Sequence, residues 1–368
     1  IGIHDLPKNQ ISLDIIKSNW RNLNNASNGK AAAVIKANSY GLGMLQVAKS
    51  LIDAGCRYFY VANIEEAIVL RKENPSKEIS IAIFEGFFEG NELVYKNNNL
   101  IPVINNIIQL KRLKKYNDLN KKNYPIKAIL NIDTGMNRLG LELSEVDFLH
   151  TNRSILENIK WDFIMSHLAN SSDTENNSNF EQLKKLNLFS KLIPDAKLSL
   201  ANTGGILLGK NYCLDQTRPG IGLYGIDSHG NNIDILSKKL KVPFELHCPI
   251  IQIRNVGIAE KISYGGIDTT IKKSKLATIG IGYADGWLRL LKKNSSFLIG
   301  DQTCKIIGNI TMDSFMIDIT SVKVNSLKEG CHINLINDSN LRYILKDSKI
   351  ISYEFLTGIG NRVIRKYN

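Results

Sequence analysis

The first two thirds of the sequence alternate short β-branched runs with amphipathic segments, and this alternation constrains the fold most. Eight such runs within about 200 residues are typical of a closed (β/α)8 barrel, because an open doubly wound sheet usually has fewer strands. The sequence therefore predicts an α/β protein built on a TIM-like barrel. The predicted strands are Ala31–Ala37, Arg57–Asn63, Glu78–Phe84, Ile101–Ile104, Ile126–Ile132, Trp161–His167, Lys197–Asn202 and Thr217–Tyr224.

Helical spacing of apolar residues fills several of the gaps between these strands. Gly55 and two prolines, Pro75 and Pro194, follow three of the segments and mark their ends. The predicted helices are Ile15–Asn24, Met44–Ala54, Glu65–Lys72, Ile107–Tyr116 and Phe180–Leu192.

The pattern changes after Ile235, where short strands separated by Gly and Asn-Asp turns replace the helical spacing. We therefore predict two domains, a barrel over residues 10–235 and a mostly-β domain over residues 236–368 that also takes in residues 1–9. The strand-like Gln10–Asp14 is expected to pair with the second domain, and a short helix is expected over Ile350–Leu356. The strands predicted there are Phe244–Arg254, Leu276–Ile281, Cys304–Ile319, His332–Ile336 and Val363–Tyr367.

Charge and cysteine content narrow the functional class. The formal charge is +12, but the lysines form only short runs without interleaved aromatic residues, so we expect no nucleic-acid partner. The five cysteines are widely spaced and include no C-x-x-C pair, which indicates reduced thiols and neither disulfides nor a zinc site. No apolar run is long enough to span a bilayer, and no signal-type segment precedes Asp14. We therefore expect a cytoplasmic protein with no membrane partner.

Polar residues at the carboxyl ends of barrel strands indicate where chemistry takes place. Lys36 closes a buried apolar run, and burial lowers the pKa of a lysine toward the range in which its amine is a nucleophile or base. Glycines beside Thr203 and Arg218, after the seventh and eighth runs, would let backbone N–H groups approach a phosphate. This combination predicts either an enzyme that binds pyridoxal phosphate or a Schiff-base aldolase.

Several ordered motifs resemble those of the alanine racemases, which are barrel-type enzymes dependent on pyridoxal 5'-phosphate (PLP). The likeness covers nearly the whole chain. It includes the segment around the attachment lysine, AVIKANSYGLG from Ala33 to Gly43, and DTGMNRLG from Asp133 to Gly140. The remaining matches are Ser166-His167, Ala201-Asn202-Thr203, RPGIGLYG from Arg218 to Gly225, Ser263-Tyr264-Gly265, GYADGW from Gly282 to Trp287, and Met312-Asp313.

The resemblance implies a role for each matching residue. Lys36 would bind the cofactor and act as the base for the D-amino acid, and Tyr264 of a second subunit would be the base for the L-amino acid. His167, linked to Arg218, would stabilise the phenol anion of that tyrosine. Arg218 would leave the cofactor's ring nitrogen neutral, because a guanidinium does not give up its proton. The cofactor-binding set would be Lys36, Tyr40, His167, Asn202, Thr203, Arg218, Gly220, Ile221 and Tyr353.

The resemblance also implies a substrate site. Arg138 and the backbone N–H of Met312 would hold the substrate carboxylate, Tyr283 would line the entrance, and Asp313 would lie beside them without a defined role. Many family members carry a carbamylated lysine at the position of Asn131. A neutral amide cannot supply that negative charge, so we expect chloride between Asn131 and Arg138.

The implied function is interconversion of L- and D-alanine by a homodimeric isomerase that supplies D-alanine for peptidoglycan. A broad-specificity racemase acting on serine, lysine or other amino acids is the main alternative. A PLP decarboxylase of basic amino acids would want an acid where Arg218 stands. A non-catalytic PLP carrier typically lacks the β domain that contains Tyr264.

Overall fold

The computed structural model describes residues 6–120, 125–193, 195–226, 235–293, 295–299, 301–323, 327–345 and 350–368. The described residues form two compact units. Unit 1 comprises those within Ile1–Leu13, Tyr40–Gly43 and Val242–Asn368, and unit 2 comprises those within Asp14–Ser39 and Met44–Lys241. The predicted domain boundaries, 10–235 and 236–368 with 1–9, stay a prediction.

Unit 2 is a curled parallel sheet with helices between its strands, as expected for a TIM-like barrel. Its seven strands pair in chain order, and their side chains are mostly buried, which explains the continuous apolar runs in the sequence. The strands are β2 (Ala33–Val34), β3 (Tyr58–Val61), β4 (Ser80–Ile83), β5 (Leu100–Ile104), β6 (Lys127–Asn131), β7 (Lys160–Met165) and β8 (Lys197–Ser199). The helices are Leu13–Ala26, Met44–Asp53, Ile64–Glu73, Glu92–Asn97, Ile107–Leu119, Leu143–Thr151, Ser178–Phe189, Thr203–Leu208 and Ile235–Lys239.

The eighth predicted strand, Thr217–Tyr224, is wrong over most of its length. Isolated parallel bridges join Thr217 to Ala31 and Gln216 to Ser199, so residues 216–219 close the sheet between β8 and β2. The following Ile221–Tyr224 is a buried 3-10 helix. Its apolar residues are buried in a tight helical turn, a pattern that a short buried strand also produces.

Unit 1 is mostly β and is organised around β9 (Phe244–Val256), which pairs with three other strands along its 13 residues. β1 (Lys8–Ile11) lies antiparallel to β9 and parallel to the last strand, which confirms that the opening strand belongs with the second domain. The predicted Cys304–Ile319 is two antiparallel strands and not one. The other strands are β10 (Lys261–Ile262), β11 (Asp268–Thr269), β12 (Ser274–Ile279), β13 (Ser296–Ile299), β14 (Gln302–Ile307), β15 (Phe315–Asp318), β16 (His332–Ile336) and β17 (Ile364–Tyr367).

An aromatic cluster forms the core of unit 1. Trp287 stacks on Phe315 with ring centroids 5.6 Å apart and meets Phe297 and Phe355 at 5.7 and 6.1 Å. Short helices over Leu341–Leu345 and Ser352–Gly358 complete the unit, the second close to the helix predicted over Ile350–Leu356. None of the helices in the described part of the chain has the length and apolar content needed to cross a membrane.

Candidate active site

Lys36 lies just beyond the carboxyl end of β2, at the rim of the barrel. The chain is fixed on both sides of it: the Ile35 N–H donates to the Tyr60 carbonyl (2.9 Å), and the Ala37 N–H donates to Glu66 Oε1 (2.7 Å). The other carboxylate oxygen of Glu66 accepts from the Ala62 N–H (2.8 Å). Glu66 thereby ties the end of β3 to the residue that follows the lysine.

The four residues after Lys36 adopt a left-handed turn. Ala37, Asn38, Ser39 and Tyr40 all have φ between 51° and 54°, a conformation that costs about 1–2 kcal/mol per residue for L-amino acids. Asn38 offsets part of this cost, because its Oδ1 accepts the Met44 N–H (2.8 Å) at the start of the next helix. Neighbouring interactions must stabilise this conformation, a type of strain that clusters at functional sites.

The Lys36 ammonium is half-buried and close to another cation. Burial, and secondly the positive charge of Arg138, lower the pKa of Lys36, while the Glu66 carboxylate partly opposes them. The Lys36 Nζ also lies 5.5 Å from the centroid of the Phe84 ring. The depressed pKa makes the neutral amine, which is the nucleophile and base, more accessible.

Arg218 is buried, 2% exposed, beside the carboxyl ends of β7 and β8. Its guanidinium donates to the carbonyls of Ser166 (2.5 Å) and Leu200 (3.2 Å) and to the hydroxyl of Ser199. Its Nε has no partner among the described residues. A buried donor without a partner is costly, so this N–H is suited to an acceptor supplied by a ligand.

His167 lies at the end of β7 and is held neutral. Burial lowers its pKa to about 3, and the positive charges of Arg218, Arg138 and Lys36 act in the same direction. The Asn202 side-chain Oδ1 accepts the Gly205 N–H (2.9 Å), so its Nδ2 faces the His167 Nε2 at 3.4 Å. An amide NH2 only donates, which makes Nε2 the acceptor and places the imidazole proton on Nδ1.

Thr203 and the loop after Arg218 form a compact polar cradle. The Thr203 Oγ1 accepts the N–H groups of Gly220 (3.2 Å) and Gly222 (3.1 Å). A Cβ at Gly222 would lie 2.7 Å from the Thr203 Cγ2, so only glycine permits this approach. The Ile221 N–H has no acceptor among the described residues. Together with the Thr203 hydroxyl proton it offers two donors to an anion.

Arg138 lies on a loop between β6 and Leu141. Asp133 Oδ1 accepts the N–H groups of Gly135 (2.7 Å) and Met136 (2.8 Å), and Asn137 takes a left-handed φ of 55°. Asparagine tolerates that conformation better than most residues, so the loop forms without a glycine at this position. The Arg138 side chain is exposed and makes no ion pair with the described residues.

Asn131 is 6% exposed, and its Nδ2 donates to the Asn105 Oδ1 at 2.8 Å. Asn105 in turn donates to the Phe84 carbonyl (2.8 Å). The position is thus occupied by two neutral amides that bind each other.

The remaining predicted site residues belong to unit 1. The rings of Tyr40 and Tyr353 lie 6.0 Å apart, and burial raises the pKa of both phenols. Tyr264 is 78% exposed on a turn that follows Ser263, whose φ is 65°. Tyr283, Met312 and Asp313 form a second group: the N–H groups of Tyr283 and Ala284 donate to the carbonyls of Thr311 (3.1 Å) and Met312 (3.0 Å).

These unit 2 residues form an electropositive cluster around one neutral imidazole. Lys36, Arg138 and Arg218 contribute cations within electrostatic reach of His167, so the cluster favours ligands that carry phosphate or carboxylate groups.

The sequence analysis did not predict three residues of this cluster, which are Phe84, Asn105 and Glu66. The sequence does not mark Phe84 or Asn105 as site residues, because each reaches the site only through the packing of neighbouring strands. Glu66 does have a sequence signal, because it stands three residues after Asn63, the spacing of a helix cap. The Asn63 Oδ1 accepts the Glu66 N–H (3.0 Å).

Comparison with known proteins places this site in a family. Residues 11–228 match the alanine racemase N-terminal domain and residues 244–367 the C-terminal domain. The chain is 39% identical to an alanine racemase of Rickettsia bellii over 93% of this chain and 82% of that protein. It is 36% identical to that of Rickettsia canadensis over 97% and 98%.

A solved structure gives the same relationship. The crystal structure of alanine racemase from Bartonella henselae, with covalently bound pyridoxal phosphate, superposes with a TM-score of 0.92 at 34% identity and covers 99% of both chains. The chain therefore belongs to the alanine racemase family, a family of PLP-dependent isomerases.

Proposed function

We propose that this protein interconverts L- and D-alanine with PLP as its cofactor. The observation that carries the proposal is that Lys36, whose pKa is lowered, and buried Arg218, whose Nε is unpartnered, both lie within electrostatic reach of His167. The Rickettsia relatives bear the name of this activity, and the Bartonella relative binds PLP covalently.

The residues of the electropositive cluster and its neighbours fit PLP. The pyridine nitrogen is an acceptor, and Arg218 Nε is a buried donor without a partner. The Ile221 N–H and the Thr203 hydroxyl suit the phosphate, with Gly220, Tyr40 and Tyr353 completing the expected set. His167 and Asn202, whose side chains face each other at 3.4 Å, belong to the same expected set.

Bound PLP withdraws electrons from the Cα of an attached amino acid and makes its proton acidic. Arg218 limits that withdrawal, because a guanidinium cannot protonate the ring nitrogen. Lys36 binds the cofactor and, once released, moves the proton at Cα on the D side.

Tyr264 moves the proton on the L side. Racemisation needs bases on opposite faces of Cα, and an exposed tyrosine is available to a neighbouring subunit. We infer a homodimer in which each site combines Lys36 of one chain with Tyr264 of the other.

Arg138 and the Met312 N–H hold the substrate carboxylate, and Tyr283 lines the entrance. The Met312 N–H has no acceptor among the residues described, which leaves it available for a carboxylate. Chloride beside Arg138 and Asn131 would supply the negative charge that the Asn131–Asn105 pair lacks. Replacing chloride with an inert anion such as gluconate should then lower activity, and unchanged activity would remove this part of the proposal.

The direct test is racemisation by the PLP-loaded enzyme of alanine, serine and lysine, each from both enantiomers. We expect alanine to exceed the others by about 100-fold in kcat/KM, a difference of about 2.7 kcal/mol. Comparable rates with serine or lysine would favour the broad-specificity racemase, and no racemisation of alanine would reject the proposal. Lys36→Ala should abolish covalent cofactor attachment, measured as the mass of the borohydride-reduced protein.

Subunit mixing tests the shared site. Lys36→Ala and Tyr264→Phe homodimers are each expected to be nearly inactive. When the two variants are unfolded and refolded together, half of the dimers are mixed, and one of the two sites in each mixed dimer has both bases. Activity should recover to about a quarter of the wild-type value. No recovery, with mixed dimers verified by mass spectrometry, would mean that both bases come from one chain.

The cellular role that follows is supply of D-alanine for peptidoglycan in the cytoplasm. Cys56, Cys213, Cys248 and Cys304 are buried thiols, which supports a reducing compartment.

A further inference from the structure

Arg362 connects two carboxylates of unit 1. Its Nε lies 2.9 Å from Asp285 Oδ1, and one of its terminal nitrogens lies 2.8 Å from Asp313 Oδ1, so it forms an ion pair with each carboxylate. Asp285 is 2% exposed, whereas the side chains of Arg362 and Asp313 are 54% and 61% exposed. The arginine therefore has one arm anchored in the core and one arm at the surface.

The buried arm fixes the turn that contains Tyr283. Asp285 Oδ2 accepts the Gly282 N–H (2.9 Å), and its carbonyl accepts the Gly360 N–H (3.0 Å). A Cβ at Gly282 would lie 2.3 Å from the Met312 carbonyl oxygen, so this turn and the segment containing Met312 are in direct contact. The position of one segment thus depends on the other.

The exposed end of the Arg362 side chain pairs with Asp313, the residue that follows Met312. The Ala284 N–H donates to the Met312 carbonyl (3.0 Å) and holds one side of the segment that contains Met312. On the other side, the Asp313 side chain has Arg362 as its ion-pair partner among the described residues. Arg362 therefore links the residue after Met312 to Asp285, in the same turn whose Ala284 N–H binds the Met312 carbonyl.

We propose that Arg362 is a positioning residue for substrate binding, which holds the Met312 N–H in the direction of the substrate carboxylate by pairing with Asp285 and Asp313 together. The inference rests on the proposed function and gives Asp313 a role: it binds Arg362, not the substrate. A planar guanidinium suits this task, because its donors engage two carboxylates at fixed angles, whereas an ammonium is a single point charge.

Asp313→Asn, Arg362→Lys and Arg362→Gln test the proposal in the PLP-loaded enzyme. Asp313→Asn removes only an exposed pair, so the KM for alanine should rise about three- to fivefold with little change in kcat. Arg362→Gln also leaves buried Asp285 without its cation, so KM should rise about 10-fold or more. Arg362→Lys should lie between the two. Asp301→Asn and Arg254→Gln, exposed residues of the same unit, are the matched controls.

Two further readouts separate positioning from a general loss of stability. The inhibition constant of propionate, which has the carboxylate but not the amine, should rise in parallel with KM. Hydrogen exchange should become faster in peptides covering residues 282–287 and 310–314 and remain unchanged in the barrel.

An unchanged KM and propionate constant in both Asp313→Asn and Arg362→Gln would overturn the proposal, as would a fall in kcat alone. Wild-type enzyme that does not racemise alanine would instead reject the proposed function, which is a distinct result.

Discussion

The Lys36 Nζ lies over the ring of Phe84, 5.5 Å from its centroid, and this ring stacks in turn on Tyr60 with centroids 5.1 Å apart. The face of an aromatic ring attracts a cation and so stabilises the ammonium form. Burial and Arg138 act the other way and lower the pKa of Lys36. The ring therefore limits how far that pKa falls.

Phe84→Leu removes this attraction, and we expect a further fall in the pKa of Lys36. The measurement is the pH dependence of Lys36 acetylation in cofactor-free protein, followed by mass spectrometry. Phe88→Leu, at a half-exposed ring in the same segment, should match the wild type. An unchanged or raised midpoint for Phe84→Leu would show that the ring acts through burial and not through its charge distribution.

His167 should make cofactor-free protein sensitive to acid. Its pKa is about 3 in the fold and 6.5 when unperturbed, so below pH 6.5 the unfolded chain binds a proton that the folded chain does not. Stability is then lost as pH falls from 6.5 toward 3, by up to about 1.4 kcal/mol per pH unit. Urea unfolding at pH 7 and pH 5 should show a smaller loss for His167→Gln. His150→Gln, on the helix Leu143–Thr151, should lose as much as the wild type, and equal losses in all three proteins would contradict this origin.

Tyr264→Phe should affect the two enantiomers differently. The phenol is the proposed base for L-alanine, and a general base contributes about 100-fold or more to rate. Deuterium uptake from solvent into L-alanine should fall by that factor, while uptake into D-alanine, which depends on Lys36, should fall far less. Tyr212→Phe serves as the control. Equal losses for both enantiomers would argue against two bases.

Gly282→Ala should destabilise unit 1, because the new Cβ would lie 2.3 Å from the Met312 carbonyl oxygen and 2.4 Å from that of Thr311. Backbone atoms cannot move aside cheaply, so we expect a loss of about 1–3 kcal/mol in the free energy of unfolding. Gly358→Ala is the comparison, since a Cβ there meets nothing within 4 Å. Equal stability of both variants in urea would contradict the close packing.

Burial explains which elements were predictable. Most residues of β2 through β7 are apolar and buried, so the sequence reveals these strands. The same criterion mistook Ile221–Tyr224 for a strand because that turn is equally buried. The left-handed turn Ala37–Tyr40 contains no glycine, so no local signal predicted it. Only surrounding structure can hold such residues at positive φ.

The carboxyl ends of the predicted strands identified four candidate site residues, because parallel strands place these ends at one face of a barrel. The four are Lys36, His167, Asn202 and Arg218. The sequence did not predict contacts that form only when distant segments pack together. Phe84 is one more apolar residue at the end of a predicted strand, and Arg362 is one basic residue among many until Asp285 and Asp313 lie beside it.

The join between Thr217 and Ala31 has a consequence for synthesis of the protein. In a nascent chain β2 is the first strand of this sheet to be translated, yet the segment that bonds to its outer side is translated only after the other six strands. Until then the growing sheet exposes an open edge on which another copy can add a strand. Fragments that stop short of Thr217 should therefore aggregate or require a chaperone, even though they contain Lys36, the proposed attachment lysine.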